Sequence, residues 1–244
     1  MGNAATKARE AHAQAKSKPK NSRSVQQQKI RSAKATGVLA LPDSKLKKLP
    51  EVLPTLTALR ILDVTGNRLS ELPPELNELK ALKTLKASSN TIALLPDLSG
   101  LTALTTLVLD GNALEDLPNA LPPNLTKLSL KGNQLNAVPH SVLALSQLQE
   151  LDLSDNALKT LPSNLGELQE LQELTVDGNM LTELPAALAR CGKLKVMNLE
   201  GNPMTKEDFQ GMDGFDAFLT RRINLKNKEI HGGLNSDLSL CGLE

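Results

Sequence analysis

One eleven-residue pattern, L-x-x-L-x-L-x-x-N-x-L, returns along most of this chain at intervals of 21 to 23 residues. An early copy is Leu59–Leu69, with Val64 at its sixth place, and later copies begin at Leu82, Leu104, Leu125, Leu148, Leu171 and Leu194. A degenerate first copy begins at Thr36. Most copies run on into Leu-Pro or Val-Pro, at Leu49-Pro50, Leu72-Pro73, Leu95-Pro96, Leu117-Pro118, Val138-Pro139, Leu161-Pro162 and Leu184-Pro185. A unit this short cannot bury its own leucines, so a neighbouring unit must supply the other wall of each apolar layer. The chain is therefore confined to a stack of coils with one continuous core.

Each position has a physical role. Leu62 and Val64, with equivalents from Leu85/Ala87 to Leu174/Val176, alternate with period two and point inward from a short strand. Stacking such strands in parallel lines one face of a curved rod. The column Asn67, Asn90, Asn112, Asn133, Asn156, Asn179 and Asn202 falls where the chain turns away from the strand. A buried amide there satisfies backbone groups that the turn leaves unpaired, so this column reads as a structural ladder. Gly66, Gly111, Gly132, Gly178 and Gly201 precede it and ease the same turn. Proline at the Leu-Pro step fixes φ and discourages a full helix, which predicts short helical turns and irregular chain on the outer side. The 21-residue unit Leu104–Asn124 has the least room for one.

These residues resemble the leucine-rich-repeat superfamily, in the 23-residue L-P-x-x-L-x-x-L variety of intracellular Ras-group repeat proteins. Those include the plant intracellular Ras-group-related family and the scribble/erbin group. The chain is most similar to small members that begin Met-Gly, enter the repeats through a segment like Thr36-Gly37-Val38-Leu39-Ala40-Leu41, and close with one like Phe209–Phe218 followed by basic residues. The likeness extends to about residue 230. It implies an α/β leucine-rich-repeat solenoid with parallel strands on the concave face, and a protein-binding module without a specified partner.

The ends differ from the middle. The chain has no Trp and no Tyr, and its three Phe, at 209, 215 and 218, lie together. Thr205–Asp208 reads as a capping box, and Phe209, Met212, Phe215, Phe218 and Leu219 recur at helical spacing, which predicts a helical lid over the last repeat. Arg221, Arg222, Lys226 and Lys228 make a basic extension. At the other end, Met1-Gly2-Asn3-Ala4-Ala5-Thr6 fits the N-myristoylation pattern, with Gly2 as the acylated residue. Residues 1–35 carry nine Lys/Arg against Glu10, so the tail holds +8 of a chain whose formal charge is +1. One myristoyl chain binds membranes only at about 10⁴ M⁻¹, and each nearby basic residue adds about 1 kcal/mol at an anionic leaflet. Lys7, Arg9, Lys16, Lys18 and Lys20 thus form the expected second membrane-binding signal. The expected organisation is a basic disordered tail over 1–35, repeats over 36–204, a cap helix and basic extension over 205–230, and a disordered tail over 231–244.

Strand residues flanking the inward leucines face the concave side. There Lys86, Lys127 and Lys131 form a basic group, and Glu150, Asp152, Glu173, Asp177 and Glu200 an acidic field. Clustered charge steers association, so both are expected to meet a protein partner. Catalysis finds no support: His12, His140 and His231 are scattered, and no phosphate-binding or dinucleotide-binding glycine motif is present. Cys191 and Cys241 are too few for a disulfide framework or a metal site, and Cys191 occupies a leucine column. No catalytic residue, cofactor, metal, small-molecule substrate or nucleic acid is expected. The reading is of a cytoplasmic scaffold, monomeric on its own, peripheral on the inner leaflet through its tail, in signalling or trafficking. The alternative is a structural subunit of a cytoskeletal or ciliary assembly, or a phosphatase-regulating repeat protein.

Overall fold

The structure, a computed structural model, describes residues 23–211 together with 214, 216 and 218–220. Eight three-residue strands form a single parallel sheet in chain order: β1 Val38–Ala40, β2 Ile61–Asp63, β3 Thr84–Lys86, β4 Thr106–Val108, β5 Lys127–Ser129, β6 Glu150–Asp152, β7 Glu173–Thr175 and β8 Val196–Asn198. Every neighbouring pair meets without slip, so Leu39, Leu62, Leu85, Leu107, Leu128, Leu151, Leu174 and Met197 stand in one file. All eight are buried. A one-residue slip would turn that file outward, which is why the leucine spacing fixes the register.

On the outer side, 3-10 turns run over Leu53–Thr55, Pro74–Glu78, His140–Ala144, Ser163–Glu167 and Ala186–Arg190. Pro73, Pro139, Pro162 and Pro185 immediately precede four of these with ψ between 131° and 145°. Each proline holds the chain extended before the turn begins, as the Leu-Pro step predicts. The return legs of the coils beginning at Leu82 and Leu104 have no such turn. These are the two shortened coils, and the residues are missing from the outer side.

The asparagine column is a ladder of hydrogen bonds between coils. The Asn67 amide donates to the carbonyls of Leu41 (2.9 Å) and Val64 (2.6 Å), while its oxygen accepts from the N–H groups of Ser44 and Leu46, both at 3.0 Å. Asn90, Asn112, Asn133, Asn156, Asn179 and Asn202 repeat the arrangement one coil at a time. One residue earlier the backbone is left-handed, with φ between 61° and 70° at the five glycines. Ser89 and Asp155 take φ of 54° and 53° where two coils lack glycine. At Gly66, φ 70° favours glycine, while an added Cβ would meet at close range only the side chain of the exposed Asp43.

Both ends of the stack are closed. Helix α1, Arg23–Thr36, lies beside β1, with Ala33 buried, Ile30 packed on the core and Gln26 Nε2 donating to the Ser44 carbonyl at 3.4 Å. This corrects the expectation of a disordered segment reaching residue 35. The helix is polar on most of its surface, and so little apolar side chain touches the first coil that no stripe stands out in the sequence. Gly2, Lys7, Arg9, Lys16, Lys18 and Lys20 lie outside the described residues, as do the basic extension and residues 231–244. At the far end, α2 (Lys206–Gln210) opens with a capping box in which Thr205 Oγ1 accepts from the Asp208 N–H and Asp208 Oδ2 accepts from the Thr205 N–H. Phe209 and Phe218 are buried edge to face, ring centroids 6.2 Å apart, and close the core beyond Leu199. The lid is broken, unlike the expected single helix: Gly214 takes φ 85° before helical residues 216 and 218–220.

Candidate functional site

Zero-slip pairing converts the residues beside the buried leucines into straight files across the concave face. Lys127, Glu150 and Glu173 adjoin in one file, and Ser129, Asp152 and Thr175 in the next. The chain continues past each strand in the same stagger, placing Lys131, Ser154, Asp177 and Glu200 in a third. The first two files border a depression of about 260 Å³ lined by Val108, Asp110, Lys127, Ser129, Asp152 and Glu173.

The basic group foreseen from the sequence is not a group. Lys127 pairs with Glu150 on the next strand, and this hydrogen bond, reinforced by the charges of Glu173 and Asp152, holds its ammonium above the usual lysine range. Lys131 pairs with Asp155 at 3.2 Å and is raised for the same reason. Lys86 stands apart on β3, with the β4 file between it and Lys127. Two of the three lysines therefore serve the acidic neighbourhood. The acidic field, by contrast, is contiguous. Asp152 accepts from the Ser154 N–H at 3.0 Å and its hydroxyl at 2.6 Å. Asp177 accepts from the Glu200 N–H at 3.1 Å, yet partial burial, with the charges of Glu200 and Asp152, pushes its carboxyl above the ordinary range. A carboxylate crowded by like charges favours any cation brought to it.

Sequence reasoning passed over Asp155, whose place just outside the three files hid its role as the Lys131 partner. It also passed over Val38 and Ile61, which are adjacent in register and 39% and 38% exposed. Cys191 is fully buried, with Sγ 3.5 Å from the Leu165 carbonyl, and fills a leucine place in the core. His140 is exposed at the start of an outer turn. Among the described residues no group of three His, Cys, Asp or Glu is placed to hold a metal ion, and no helix is long and apolar enough to cross a membrane.

Comparison with known proteins agrees with the geometry. The leucine rich repeat family model matches residues 35–114 and 123–181. The fold is similar to the Leptospira interrogans LRR protein LIC12759, with TM-score 0.65 and 34% identity over 66% of this chain and 42% of that one. It is similar to YopM, a leucine-rich effector protein from Yersinia pestis, with TM-score 0.62 and 24% identity over 81% and 65%, a likeness of fold alone. It is also similar to the plant peptide hormone receptor RGFR1, solved in complex with RGF2, with TM-score 0.57 and 29% identity over 65% and 27%. The chain spans less than two thirds of each of these three chains. No curated protein matches it. The architecture is that of a protein-interaction scaffold. With its repeat signature, its single parallel sheet and a family model covering more than half its length, the chain belongs to the leucine-rich repeat family.

Proposed function

We propose that this protein is a non-catalytic adaptor of the intracellular Ras-group type that grips a protein partner on its concave face while its N-terminal tail holds it at a membrane. The observation that carries the reading is the contiguous acidic field of Asp152, Glu173, Asp177 and Glu200 on an open sheet. Lys127 and Glu150 extend it as an ion pair. A like-charged face of this kind selects partner sign and speeds encounter. The structural neighbour RGFR1 is itself solved with a bound partner, RGF2. No Trp or Tyr is available as a binding anchor anywhere in the chain, so affinity is moderate and local concentration matters. Acylation at Gly2 with Lys7, Arg9, Lys16, Lys18 and Lys20 supplies that concentration at an anionic leaflet.

Two measurements test this. Capture of partners from native cells is compared between the wild type and a Glu150→Lys, Asp152→Lys, Glu173→Lys variant; partners lost by the variant support the concave site, and an unchanged set rejects it. Metabolic labelling with a myristate analogue is compared with Gly2→Ala. Loss of label and of the membrane fraction together supports membrane attachment. Co-sedimentation with a large complex irrespective of Gly2 supports instead a structural subunit of a cytoskeletal or ciliary assembly.

A further inference from the structure

The concave face is not uniform along the stack. At the β1 end, helix α1 and strand β1 enclose a groove of about 300 Å³ lined by Val25, Gln28, Lys29, Ser32, Val38 and Ala40. Ile61 continues its apolar floor onto β2, and Val38 and Ile61 are among the four exposed large apolar residues of the described structure. Large apolar side chains left open beside a groove are groups that a partner removes from water. Helix α1 carries no acid and places Lys29 in the groove lining, so this end is apolar with a cation at its border. At the β6–β8 end the face is acidic, with Asp152, Glu173 and Asp177 unopposed by any lysine beyond Lys127 and Lys131 in the files. The face therefore has one largely apolar end bordered by Lys29 and one acidic end that attracts cations.

Resting on the concave-face reading above, we infer that the partner segment is a single amphipathic helix, apolar at one end and cationic at the other, lying along the stack with its apolar end in the α1–β1 groove. Two dimensions set the helix. Strands of three residues make a trough about 10 Å wide, the diameter of one helix. The middle of Val38/Ile61 lies five strand spacings from the middle of Asp152/Glu173, roughly 24 Å at ~4.8 Å per strand, or about 16 residues of helix. The apolar groove and Lys29 fix the orientation, because reversing the segment places its cationic end against Val25, Val38 and Lys29. The basic tail of this chain does not meet the requirement: residues 2–24 contain no Leu, Ile, Val, Phe or Met, so it has nothing to place in the groove. We take the occupant to be a segment of another protein.

The test uses the full chain and three labelled helical peptides in fluorescence anisotropy. The first has a Leu-Leu-Val end and a four-arginine end separated by a spacer that gives the 24 Å span. The second has the arginine end alone, and the third has both ends with the spacer cut by half. The first peptide is expected to bind at least tenfold tighter than either of the others. Ile61→Asp, at a position 38% exposed, is expected to lower its affinity at least tenfold and keep its salt dependence. Glu173→Lys is expected to lower affinity and flatten the salt dependence. Equal binding of the first and second peptides, equal binding of the first and third, or indifference to Ile61→Asp overturns the inference and leaves the concave site standing. Failure of every cationic peptide to bind overturns both readings together.

Discussion

Lys127 on β5 donates a hydrogen bond to Glu150, its in-register neighbour on β6, so the first lysine of the acidic field neutralises the first carboxylate. Both side chains are about half exposed, and such a pair adds little to stability, on the order of 0.5 kcal/mol. Its larger effect is on the face. Lys127→Met releases Glu150 and removes a cation from the field, and is expected to tighten binding of a cationic peptide threefold or more at low salt. Isothermal titration at two ionic strengths reads this; weaker binding by the variant would mean that Lys127 itself contacts the ligand.

The ladder gives a graded outcome. Asn179 is buried between two coils, and its amide donates to the Leu153 and Val176 carbonyls while accepting from the Leu158 N–H. Asn179→Ala leaves these groups unpaired and is expected to cost about 3 kcal/mol. Asn202 bears the same bonds on the last rung but is only partly buried, so Asn202→Ala is expected to cost about 1.5 kcal/mol. Urea unfolding of the two variants measures the difference, and equal losses would show that burial does not grade the ladder.

Gly166 is a site of close approach between return legs. A Cβ there would stand 2.2 Å from the Ala187 carbonyl oxygen, which is backbone and cannot swing aside. Gly166→Ala is expected to destabilise by about 2 kcal/mol through overpacking. At Gly192 nothing lies within 4 Å of the added atom, and Gly192→Ala is expected to change stability by less than about 0.5 kcal/mol. Thermal denaturation of the pair separates local crowding from a general sensitivity of these turns to alanine.

The pH dependence of one carboxyl has a definite sign. Burial raises Asp177, so its folded value lies above its unfolded one. The folded state then favours the neutral form, and ionisation costs stability that returns as the pH falls toward the unfolded value. Asp177→Asn keeps an acceptor for the Glu200 N–H and removes that cost. It is expected to stabilise at pH 7 by no more than about 0.5 kcal/mol, since solvent screens the site, and to lose this advantage once Asp177 is protonated in both states. Urea titrations at pH 7 and pH 3 check it; an advantage that persists in acid would place its origin elsewhere.

Leucine spacing made the register legible, because a slip of one residue would expose a whole file, and the asparagine column followed from the same turn. The coil count and the missing outer turn in Leu104–Asn124 were legible for the same reason. What the sequence hid were contacts between coils. Lys127 and Glu150 are 23 residues apart, and a column reading sorts them into opposite groups although the sheet makes them a pair. Helix α1 was hidden because a capping helix needs only one small face, and Ala33 and Ile30 suffice. Gly166 carried no signal, since its neighbour at Ala187 belongs to the following turn.

Strands that all meet in the same register make every joint in the stack interchangeable. Excising residues 125–147 would remove one whole coil and bring Asn124 to Leu148 with leucine still facing leucine. The shortened protein would keep its two lids, and its trough would be one strand shorter. Reach along the trough is thus inherited in steps of a single strand, and a relative with one coil more or fewer would hold a proportionately longer or shorter helix.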